Sequence, residues 1–383
     1  MTVYLDNSAT TRPSEPVRET VCRHMQSGWY NPSALYKPAM DVQKEMDEVR
    51  ALCLKAADAA GERIIFTSGG TEADNLALIG HMKTVRQPGR ALISSVEHPA
   101  VSACREALEA LGHTVEEIPA GPEGSVDLNR LENMLDEDVH LISVMQVNNE
   151  TGAIEPLKVI SELRDRKCPG AGIHVDGVQG FLRVPFSMKE TGVQSYALSA
   201  HKIQGLKGTG ALILKKNWRI RPLQFGGGQE ENLRSGTENT FGILALGEAV
   251  KTYPADANAR MTALRELLEK LLKERVSATA VNSPTGIPGA CAPHILNAAF
   301  PPVRSQTMLF ALEGDGICVS AGSACASRKQ KISPVLKAMG IRQETADCSL
   351  RFSLSPDTTE EEIRYTAERV AFHWEMLKKY TRR

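Results

Sequence analysis

Several common signatures are absent from this chain of 383 residues, and each absence narrows its function. The eight cysteines are scattered and form no C-x-x-C pair, which matches neither a disulfide framework nor a zinc-ligand spacing. With a net charge of -1, the chain lacks the excess of basic residues that is typical of a nucleic-acid-binding protein. Nowhere do about 18 apolar residues run together, as a membrane helix requires. We therefore expect no nucleic-acid, metal or membrane partner.

Nucleotide-binding signatures and targeting signals are absent as well. The chain has neither a glycine-rich nucleoside triphosphate loop ending in Lys-Ser/Thr nor a G-x-G-x-x-G run after its first strand. The usual motifs for binding ATP and dinucleotides are therefore missing. The amino terminus does not follow a basic stretch with an apolar one, as a secretion signal does. We expect a cytoplasmic protein.

The composition is that of an ordinary soluble enzyme, with 42% hydrophobic and 24% charged residues. Strand-like apolar runs alternate with amphipathic helix-like stretches, which predicts an α/β fold with a mixed, mostly parallel sheet flanked by helices. The predicted strands are Arg63–Thr67, Ala91–Ser95, Leu141–Val147, Gly172–Val175, Tyr196–Leu198 and Gly210–Leu214. The last two are too close in sequence for a helical crossover, so we expect them to pair antiparallel.

The texture of the sequence changes near residue 258, which predicts a second domain. A charged helix-like segment, Met261–Val276, is followed by a Pro- and Gly-rich stretch, Ser283–Pro293, and by further short strands. We predict a large cofactor-binding domain over 14–258 and a smaller α+β domain made of 1–13 and 259–383.

Polar and small residues follow directly after the predicted strands. They are the runs Gly69-Gly70-Thr71, Glu97-His98, Asn148-Asn149, Asp176 and Ser199-Ala200-His201-Lys202. Because open α/β sheets bind ligands at the carboxyl ends of their strands, these side chains are expected to meet at one rim.

Lys202 and Asp176 together indicate the chemistry of that rim. A lysine amine can form a Schiff base with an aldehyde cofactor, while a carboxylate keeps the ring nitrogen of that cofactor protonated. Alone, Lys202 reads as a solvated surface charge, but the hydroxyl of Ser199 and the imidazole of His201 lie within three residues of it. The pattern favours pyridoxal phosphate.

The run from Phe66 to Asn75 predicts a strand, a glycine turn and a helix whose free N–H groups can hold a single phosphate. An ordinary helix cap is the alternative. His98 can stack on an aromatic cofactor and move protons, or be a helix-start histidine without a role. Asn149 can bind a ring hydroxyl or a substrate carboxylate, or belong to a plain turn. Gln179, three residues beyond Asp176, can reach the same hydroxyl.

The chain resembles the cysteine desulfurases of the class V aminotransferase family, which are fold-type I pyridoxal phosphate enzymes, in the nitrogen-fixation and housekeeping iron-sulfur cluster branch. The resemblance spans nearly the whole length. The runs that carry it are Leu5 to Thr11, Thr67 to Glu72, Glu97-His98, Val147 to Glu150, His174 to Asp176, Ser199 to Lys202, Arg234 to Thr237, Ser323 to Cys325 and Arg351 to Ser353.

The resemblance implies a role for each candidate residue. Lys202 would carry the cofactor, Asp176 would contact its pyridine nitrogen, His98 would stack on its ring and Gln179 would bind its ring hydroxyl. The phosphate would be held by Gly70, Thr71, Ser199 and His201, together with Thr237 of the neighbouring subunit in a homodimer. Asn149 and Arg351 would bind the α-carboxylate of L-cysteine, a role that suits a guanidinium fork.

Cys325 determines which reaction is expected. It lies in a run of small residues, Ser320–Ser327, typical of a loop with little local anchoring, and the basic residues Arg328, Lys329 and Lys331 that follow favour its thiolate. A buried structural cysteine is the alternative. The resemblance implies that Lys202 removes the α-proton of L-cysteine and that Cys325 attacks the substrate sulfur, giving L-alanine and a Cys325 persulfide for a sulfur acceptor or cluster scaffold protein.

Two other functions remain open at this point. One is a different pyridoxal phosphate reaction, that of a class V aminotransferase or a selenocysteine lyase, in which Cys325 is incidental or protonates selenium. The other is a non-enzymatic cofactor-binding or assembly subunit, which predicts a missing catalytic residue.

Overall fold

The structure is a computed structural model that describes residues 2–321 and 333–380. Its strands are Val3–Tyr4 (β1), Arg63–Thr67 (β2), Arg90–Ser94 (β3), Thr114–Ile118 (β4), Val139–Ser143 (β5), Gly172–Asp176 (β6), Ser195–Ser199 (β7), Gly210–Leu214 (β8), Ala280–Val281 (β9), Ile295–Ala299 (β10), Ile317–Cys318 (β11) and Ser349–Ser353 (β12). Its helices are Glu15–Ser27 (α1), Lys37–Ala56 (α2), Gly70–Met82 (α3), Pro99–Ser102 (α4), Cys104–Ala110 (α5), Leu128–Met134 (α6), Leu157–Lys167 (α7), Met188–Thr191 (α8), Thr240–Thr252 (α9), Ala257–Arg275 (α10), Ser305–Gly314 (α11), Pro334–Ala338 (α12), Gln343–Ala346 (α13) and Glu360–Leu377 (α14). Short 3-10 turns occupy Ala200–Lys202 and Glu230–Asn232.

A seven-stranded sheet forms the centre of the molecule, in the order β2-β8-β7-β6-β5-β3-β4. All neighbours are parallel except β8, which runs against both β7 and β2. The predicted mixed, mostly parallel sheet is therefore confirmed, as is the antiparallel pair. Strands β6, β7 and β8 are buried at every residue, which explains why they read as continuous apolar runs in the sequence.

Two strand predictions differ from the structure. The strand predicted to reach Val147 ends at Ser143. Beyond that point, the N–H groups of Val144 and Gln146 still donate to the carbonyl oxygens of His174 and Asp176 in β6. Strand β4 was not predicted, because its sequence Thr-Val-Glu-Glu-Ile is polar at the positions exposed along the sheet edge.

Helices cover both faces of this sheet. On one face α9 packs against α1 and α2, and on the other α3 packs against α4, α5 and the central strands. Each face has its own apolar cluster, one built around residues such as Met46 and Tyr196 and the other around residues such as Leu78 and Leu108.

The smaller part of the fold is an antiparallel sheet, β12-β10-β9, with α10, α11 and α14 packed around a separate apolar cluster. The amino terminus joins this part, since β1 pairs parallel with β11 and Leu5 lies in the same cluster. Helix α14 begins with a capping box between Thr359 and Glu362, which fixes its first turn.

The turn between β2 and α3 depends on close backbone approach. A Cβ atom at Gly210 would lie 2.7 Å from the backbone of Gly69 and 2.6 Å from the carbonyl oxygen of Leu198. Glycine at the start of β8 therefore lets the β2–α3 turn settle directly above the neighbouring strand ends.

Within the two described stretches, every helix is too short or too polar to span a bilayer.

Candidate active site

Lys202 lies just beyond the carboxyl end of β7, in the short 3-10 turn. Its amine donates to the carbonyl oxygens of Ser8 at 2.5 Å and Ala9 at 2.8 Å. Both carbonyls belong to the amino-terminal segment that follows β1. The lysine is therefore directed inward, against the backbone of the amino-terminal segment. Lys202 is not a solvated surface charge.

The surroundings of Lys202 favour its neutral form. Burial, and then the positive charges of Arg351 and Arg183, lower the pKa of Lys202 to about 7. The carboxylates of Asp176 and Asp6 act in the opposite direction and do not outweigh them. With a pKa of about 7, a substantial fraction of this amine is neutral near pH 7, and the neutral form can add to an aldehyde and can accept a proton.

Asp176 ends β6 and is buried, at 5% exposure. One of its oxygens accepts the N–H of Val178 at 2.9 Å. Burial and the nearby Asp74 raise the pKa of Asp176 to about 7, although His98 and His174 lower it in part. A buried carboxyl in this state gains from a cationic N–H partner, which is what a protonated pyridine nitrogen offers.

His98 caps α4 and lies close enough to both Asp176 and Lys202 for their charges to act on it. Its Nδ1 accepts the N–H of Ala100 at 3.1 Å, so the neutral ring carries its proton on Nε2. Burial is the main cause of its lowered pKa. His98 is therefore a neutral imidazole at the rim, with a proton held at a defined atom.

The amino terminus of α3 forms an anion cradle with the end of β7. Helix α3 starts at Gly70, and its first N–H groups, including that of Thr71, have no partner within the helix. Within residues 2–321 and 333–380, the buried hydroxyl of Ser199 has no hydrogen-bond partner. A Cβ atom at Gly70 would lie 3.8 Å from the Cβ of Ser199, so the two positions face each other. An unsatisfied buried hydroxyl beside free N–H groups fits a phosphate.

Gln179 and His201 are held by side chains and backbone around the same rim. Gln179 donates to the carbonyl oxygen of Ser8 at 3.0 Å and accepts from Arg183 at 3.0 Å. His201 Nδ1 lies 3.2 Å from the hydroxyl of Thr10, and burial lowers the pKa of His201 to about 4. His201 is thus neutral beside Lys202.

Arg351 and Asn149 meet where the large sheet faces the smaller one. Arg351 lies on β12 at 4% exposure, and its Nη1 donates to the carbonyl oxygen of Asn149 at 2.8 Å. Its Nη2 donates to Asp6 at 2.7 Å, while its Nε is buried and has no hydrogen-bond partner among the described residues. This remaining N–H can donate a charge-assisted hydrogen bond to the carboxylate of a ligand.

Two predicted residues remain, and the structure describes only one of them. Thr237 is exposed, on the segment between the second 3-10 turn and α9. Cys325 lies outside the described residues, as do Arg328, Lys329 and Lys331.

Several groups that the structure places at the site have no role that the sequence alone predicts. The amino-terminal segment supplies Asp6 to Arg351 and the carbonyls of Ser8 and Ala9 to Lys202. The only sequence signal for this was the run Leu5 to Thr11, which carries part of the family resemblance. Behind Asp176, His174 contacts Asp74 at 3.1 Å and Ser195 at 2.9 Å, and no spacing rule would have joined these three.

The family profile described as Aminotransferase class-V matches residues 3–365. The chain belongs to the class V aminotransferase family. Pyridoxal phosphate is the cofactor of this family, and its requirements fit the unsatisfied Ser199 hydroxyl, the buried Asp176 carboxyl and the inward-facing Lys202 amine.

Class V relatives resemble the chain over nearly its full length. The cysteine desulfurase IscS of Dictyoglomus turgidum is 36% identical over 96% of this chain and 93% of its own length. A solved structure described as a NifS-like protein has a TM-score of 0.91 at 32% identity, with 98% of this chain and 100% of that chain covered. A structure of SspA in complex with cysteine has a TM-score of 0.82 at 28% identity, covering 94% of this chain and 100% of that chain. The predicted fold-type I architecture is confirmed.

Proposed function

We propose that the protein is a pyridoxal-phosphate-dependent cysteine desulfurase that converts L-cysteine to L-alanine and transfers the sulfur to Cys325 as a persulfide. The observation that carries the proposal is the convergence of a low-pKa lysine, Lys202, and a buried carboxyl, Asp176, with a guanidinium at Arg351 that has one N–H unused. The similarity to cysteine desulfurases along the chain supports it.

The cofactor would be held at three points. Lys202 would bind its aldehyde carbon, Asp176 its ring nitrogen, and the α3 terminus at Gly70 and Thr71 with Ser199 its phosphate. His201 would complete the phosphate site and His98 would stack on the ring. Gln179 would bind the ring hydroxyl, since its amide already lies against Ser8 beside the lysine. When bound, the cofactor supplies an electron sink for negative charge that develops on the substrate.

Substrate orientation comes from Arg351 and Asn149. The Nε–H of Arg351 is buried and makes no hydrogen bond in the described part of the chain, so a carboxylate that accepts it gains a charge-assisted hydrogen bond at little further desolvation cost. Once this carboxylate is fixed, the α-carbon of L-cysteine would lie within reach of Lys202. With a pKa of about 7, the Lys202 amine can take the α-proton near neutral pH.

Sulfur transfer is a displacement at the substrate sulfur. The Cys325 thiolate forms an S–S bond, the Cβ–S bond of the substrate breaks, and its electron pair stays on the substrate carbon, which is then protonated. Overall, L-cysteine and the Cys325 thiol give L-alanine and the Cys325 persulfide, so no external oxidant or reductant is needed. The persulfide sulfur would pass to an acceptor protein, either a scaffold for iron-sulfur cluster assembly or another sulfur carrier.

We further propose a cytoplasmic homodimer, in which Thr237 completes the phosphate site of the neighbouring subunit. Thr237 is exposed in the single chain, so it is available for such a contact. The domain division at 13/14 and 258/259 is also proposed, and the separate apolar cluster that joins Val3 and Leu5 to α10, α11 and α14 supports it.

Product analysis of the cofactor-loaded protein with L-cysteine tests the proposal. We expect L-alanine in stoichiometric excess over enzyme when a thiol reductant removes the persulfide sulfur, and no product from Lys202→Ala. Cys325→Ala should keep the visible absorption of the lysine-bound cofactor yet lose desulfuration. Sulfide formation at the wild-type rate in Cys325→Ala would overturn the role of Cys325, and a keto acid product would point to transamination.

A further inference from the structure

Ser333 is the first described residue on the carboxyl side of the stretch that contains Cys325, and it is fixed to the active-site rim. Its hydroxyl donates to Oε2 of Glu150 at 2.5 Å and accepts the N–H of Leu336 at 3.1 Å as the N-cap of α12. Both side chains are buried, with Glu150 at 3% and Ser333 at 7% exposure. One hydroxyl therefore fixes the start of a helix and ties it to a carboxyl of the large domain.

Glu150 lies directly after Asn149 in a segment that bridges the two sheets. The carbonyl oxygen of Asn149 accepts from Arg351 at 2.8 Å, and the carbonyl oxygen of Glu150 accepts from Asn297 at 3.1 Å. Arg351 and Asn297 lie on the adjacent strands β12 and β10. The backbone that carries Glu150 is therefore held against the smaller sheet at two consecutive residues.

The other end of the same stretch is attached to the same place. Ser320 and Arg351 exchange two backbone hydrogen bonds, of 3.2 Å and 2.8 Å. The chain thus departs beside Arg351 and returns beside Glu150, next to Asn149. The first attachment is on Arg351 itself, and the second is on the residue that follows Asn149, so both lie at the pair to which we assign the substrate carboxylate.

The assigned catalytic roles leave Glu150 unused. Its carboxyl touches neither Lys202 nor Asp176 within the described part of the chain, and burial raises its pKa, although Ser333 and Arg351 partly oppose this. A buried carboxyl is costly unless its acceptors are satisfied, and the contact that satisfies it is the Ser333 hydroxyl.

We propose that the hydrogen bond between Glu150 and Ser333 positions Cys325 for sulfur transfer, by fixing the return of its segment next to the substrate site. Glu150 and Ser333 are positioning residues that act through Cys325. The inference rests on the proposed desulfurase function. It concerns the transfer step alone, because cofactor binding and substrate binding are assigned to other side chains.

Ser187 offers a matched control elsewhere in the fold. Its hydroxyl donates to the carboxylate of Asp58 at 2.5 Å and accepts the N–H of Glu190 at 3.0 Å as the N-cap of α8. The pattern of hydrogen bonds is the same as that of Ser333, although this contact is exposed where that of Ser333 is buried, and it lies among residues to which we assign no part in the reaction. Ser187→Ala therefore removes an equivalent cap without touching the proposed contact.

The test is the single-turnover rate at which Cys325 gains sulfur from L-cysteine, followed by mass spectrometry of the cofactor-loaded protein. Ser333→Ala is expected to slow this rate by about 10-fold or more, in line with the cost of small misplacements of a reacting group. Substrate affinity, measured by spectral titration, should change by less than about twofold, since only a transfer contact is lost. Ser333→Thr, which keeps the hydroxyl and the cap, should restore the rate, and Ser187→Ala should match wild type.

The possible results separate the inference from the proposed function. Glu150→Leu, which keeps the bulk but not the acceptor, should reproduce the slow transfer of Ser333→Ala with an unchanged cofactor spectrum. Wild-type transfer in both variants would overturn the inference, as would an equal loss in Ser187→Ala or a loss of substrate affinity that accounts for the slower rate. Failure of the wild-type protein to place sulfur on Cys325 would instead reject the proposed function.

Discussion

Arg351 donates from Nη2 to the carboxylate of Asp6 at 2.7 Å, so the guanidinium that we assign to the substrate carboxylate already rests against a carboxylate from the amino-terminal segment. The same group donates from Nη1 to the carbonyl oxygen of Asn149. These two bonds fix the plane of the guanidinium, and its Nε–H, which bonds to no residue that the structure describes, is left for a ligand. The amino terminus is thus part of the site, although it is far from it in sequence.

Arg351→Lys should weaken substrate binding while leaving the cofactor in place. Lysine keeps the charge but loses the planar fork, so it cannot hold Asp6, Asn149 and a substrate carboxylate together. We expect KM for L-cysteine to rise about 10- to 100-fold, the loss of one or two charge-assisted hydrogen bonds. Steady-state kinetics measure this, and the visible spectrum of the bound cofactor is the control. An unchanged KM would contradict the assignment.

The low pKa of Lys202 predicts the pH dependence of cofactor uptake. Because burial first, and then Arg351 and Arg183, lower the pKa of Lys202 to about 7 from its ordinary 10.5, the reactive neutral amine should appear as pH rises through about 7. Cofactor-free protein should therefore take up pyridoxal phosphate faster with rising pH and reach a plateau above neutrality. Stopped-flow absorbance over a pH series measures this rate.

Asp6→Asn provides an independent check on that electrostatic account. The negative charge of Asp6 raises the pKa of Lys202, so its removal should move the midpoint of the uptake profile to lower pH. Asparagine keeps the size of the side chain and can still accept from Arg351. A midpoint that stays in place, or a wild-type rate that keeps rising toward the ordinary lysine pKa, would contradict the predicted environment of Lys202.

Ser199→Ala should weaken cofactor binding without destabilising the fold. The Ser199 hydroxyl is buried and bonds to none of the described residues, so its loss removes no hydrogen bond seen in the cofactor-free protein, whereas it removes one from a bound phosphate. We expect affinity for pyridoxal phosphate to fall by about 5- to 30-fold, the equivalent of one such bond of about 1–2 kcal/mol. Equilibrium titration measures this affinity.

Ser143→Ala is the matched control for this change. The hydroxyl of Ser143 is likewise buried without a partner among the described residues, but Ser143 pairs with His174 inside the sheet and is assigned no contact with the cofactor. Its removal should leave cofactor affinity at the wild-type value. Equal affinities for Ser199→Ala and Ser143→Ala would argue against a phosphate site at Ser199.

Glu97→Gln should be more stable than the wild type, by a margin that grows as pH rises. Burial, with the nearby charges of Asp176, Asp74 and Glu155, raises the pKa of Glu97 well above its usual range, so the folded state holds a proton that the unfolded state has already lost. Wild-type stability therefore falls with pH above the unfolded pKa, and the glutamine variant escapes this loss. Urea unfolding at about pH 5 and about pH 8 should show a growing advantage of the variant.

Glu72→Gln should behave in the opposite way. Burial works to raise the pKa of Glu72, but hydrogen bonds from Arg234 and Ser68 outweigh it and lower the pKa below its usual range. Its charged form is therefore stabilised by folding, and its neutral replacement should reduce the free energy of unfolding at neutral pH.

A loss of stability in Glu97→Gln at neutral pH would contradict the neutral state assigned to Glu97.

The large sheet and the rim of polar residues could be predicted from the sequence because both follow local rules. Apolar runs such as Gly210–Leu214 mark buried strands, and residues such as Asp176 and Lys202 come directly after them. Strand β4 escaped prediction because an edge strand needs few apolar residues.

The contacts that complete the site could not be derived from spacing. Asp6 and Arg351 are 345 positions apart, and Glu150 and Ser333 are 183 apart. Such pairs form only when the smaller sheet folds against the larger one, which local propensity does not encode. The family resemblance indicated which residues matter, but it did not indicate that the amino-terminal segment would hold both Lys202 and Arg351.

Mass spectrometry of the Cys325 peptide, before and after incubation of the cofactor-loaded protein with L-cysteine, tests the central claim most directly. The account predicts one additional sulfur on this peptide, together with an equal amount of L-alanine in the first turnover. The Lys202→Ala variant should show neither. Release of L-alanine with no sulfur on Cys325, or a sulfur gain on a different cysteine, would contradict the proposed transfer.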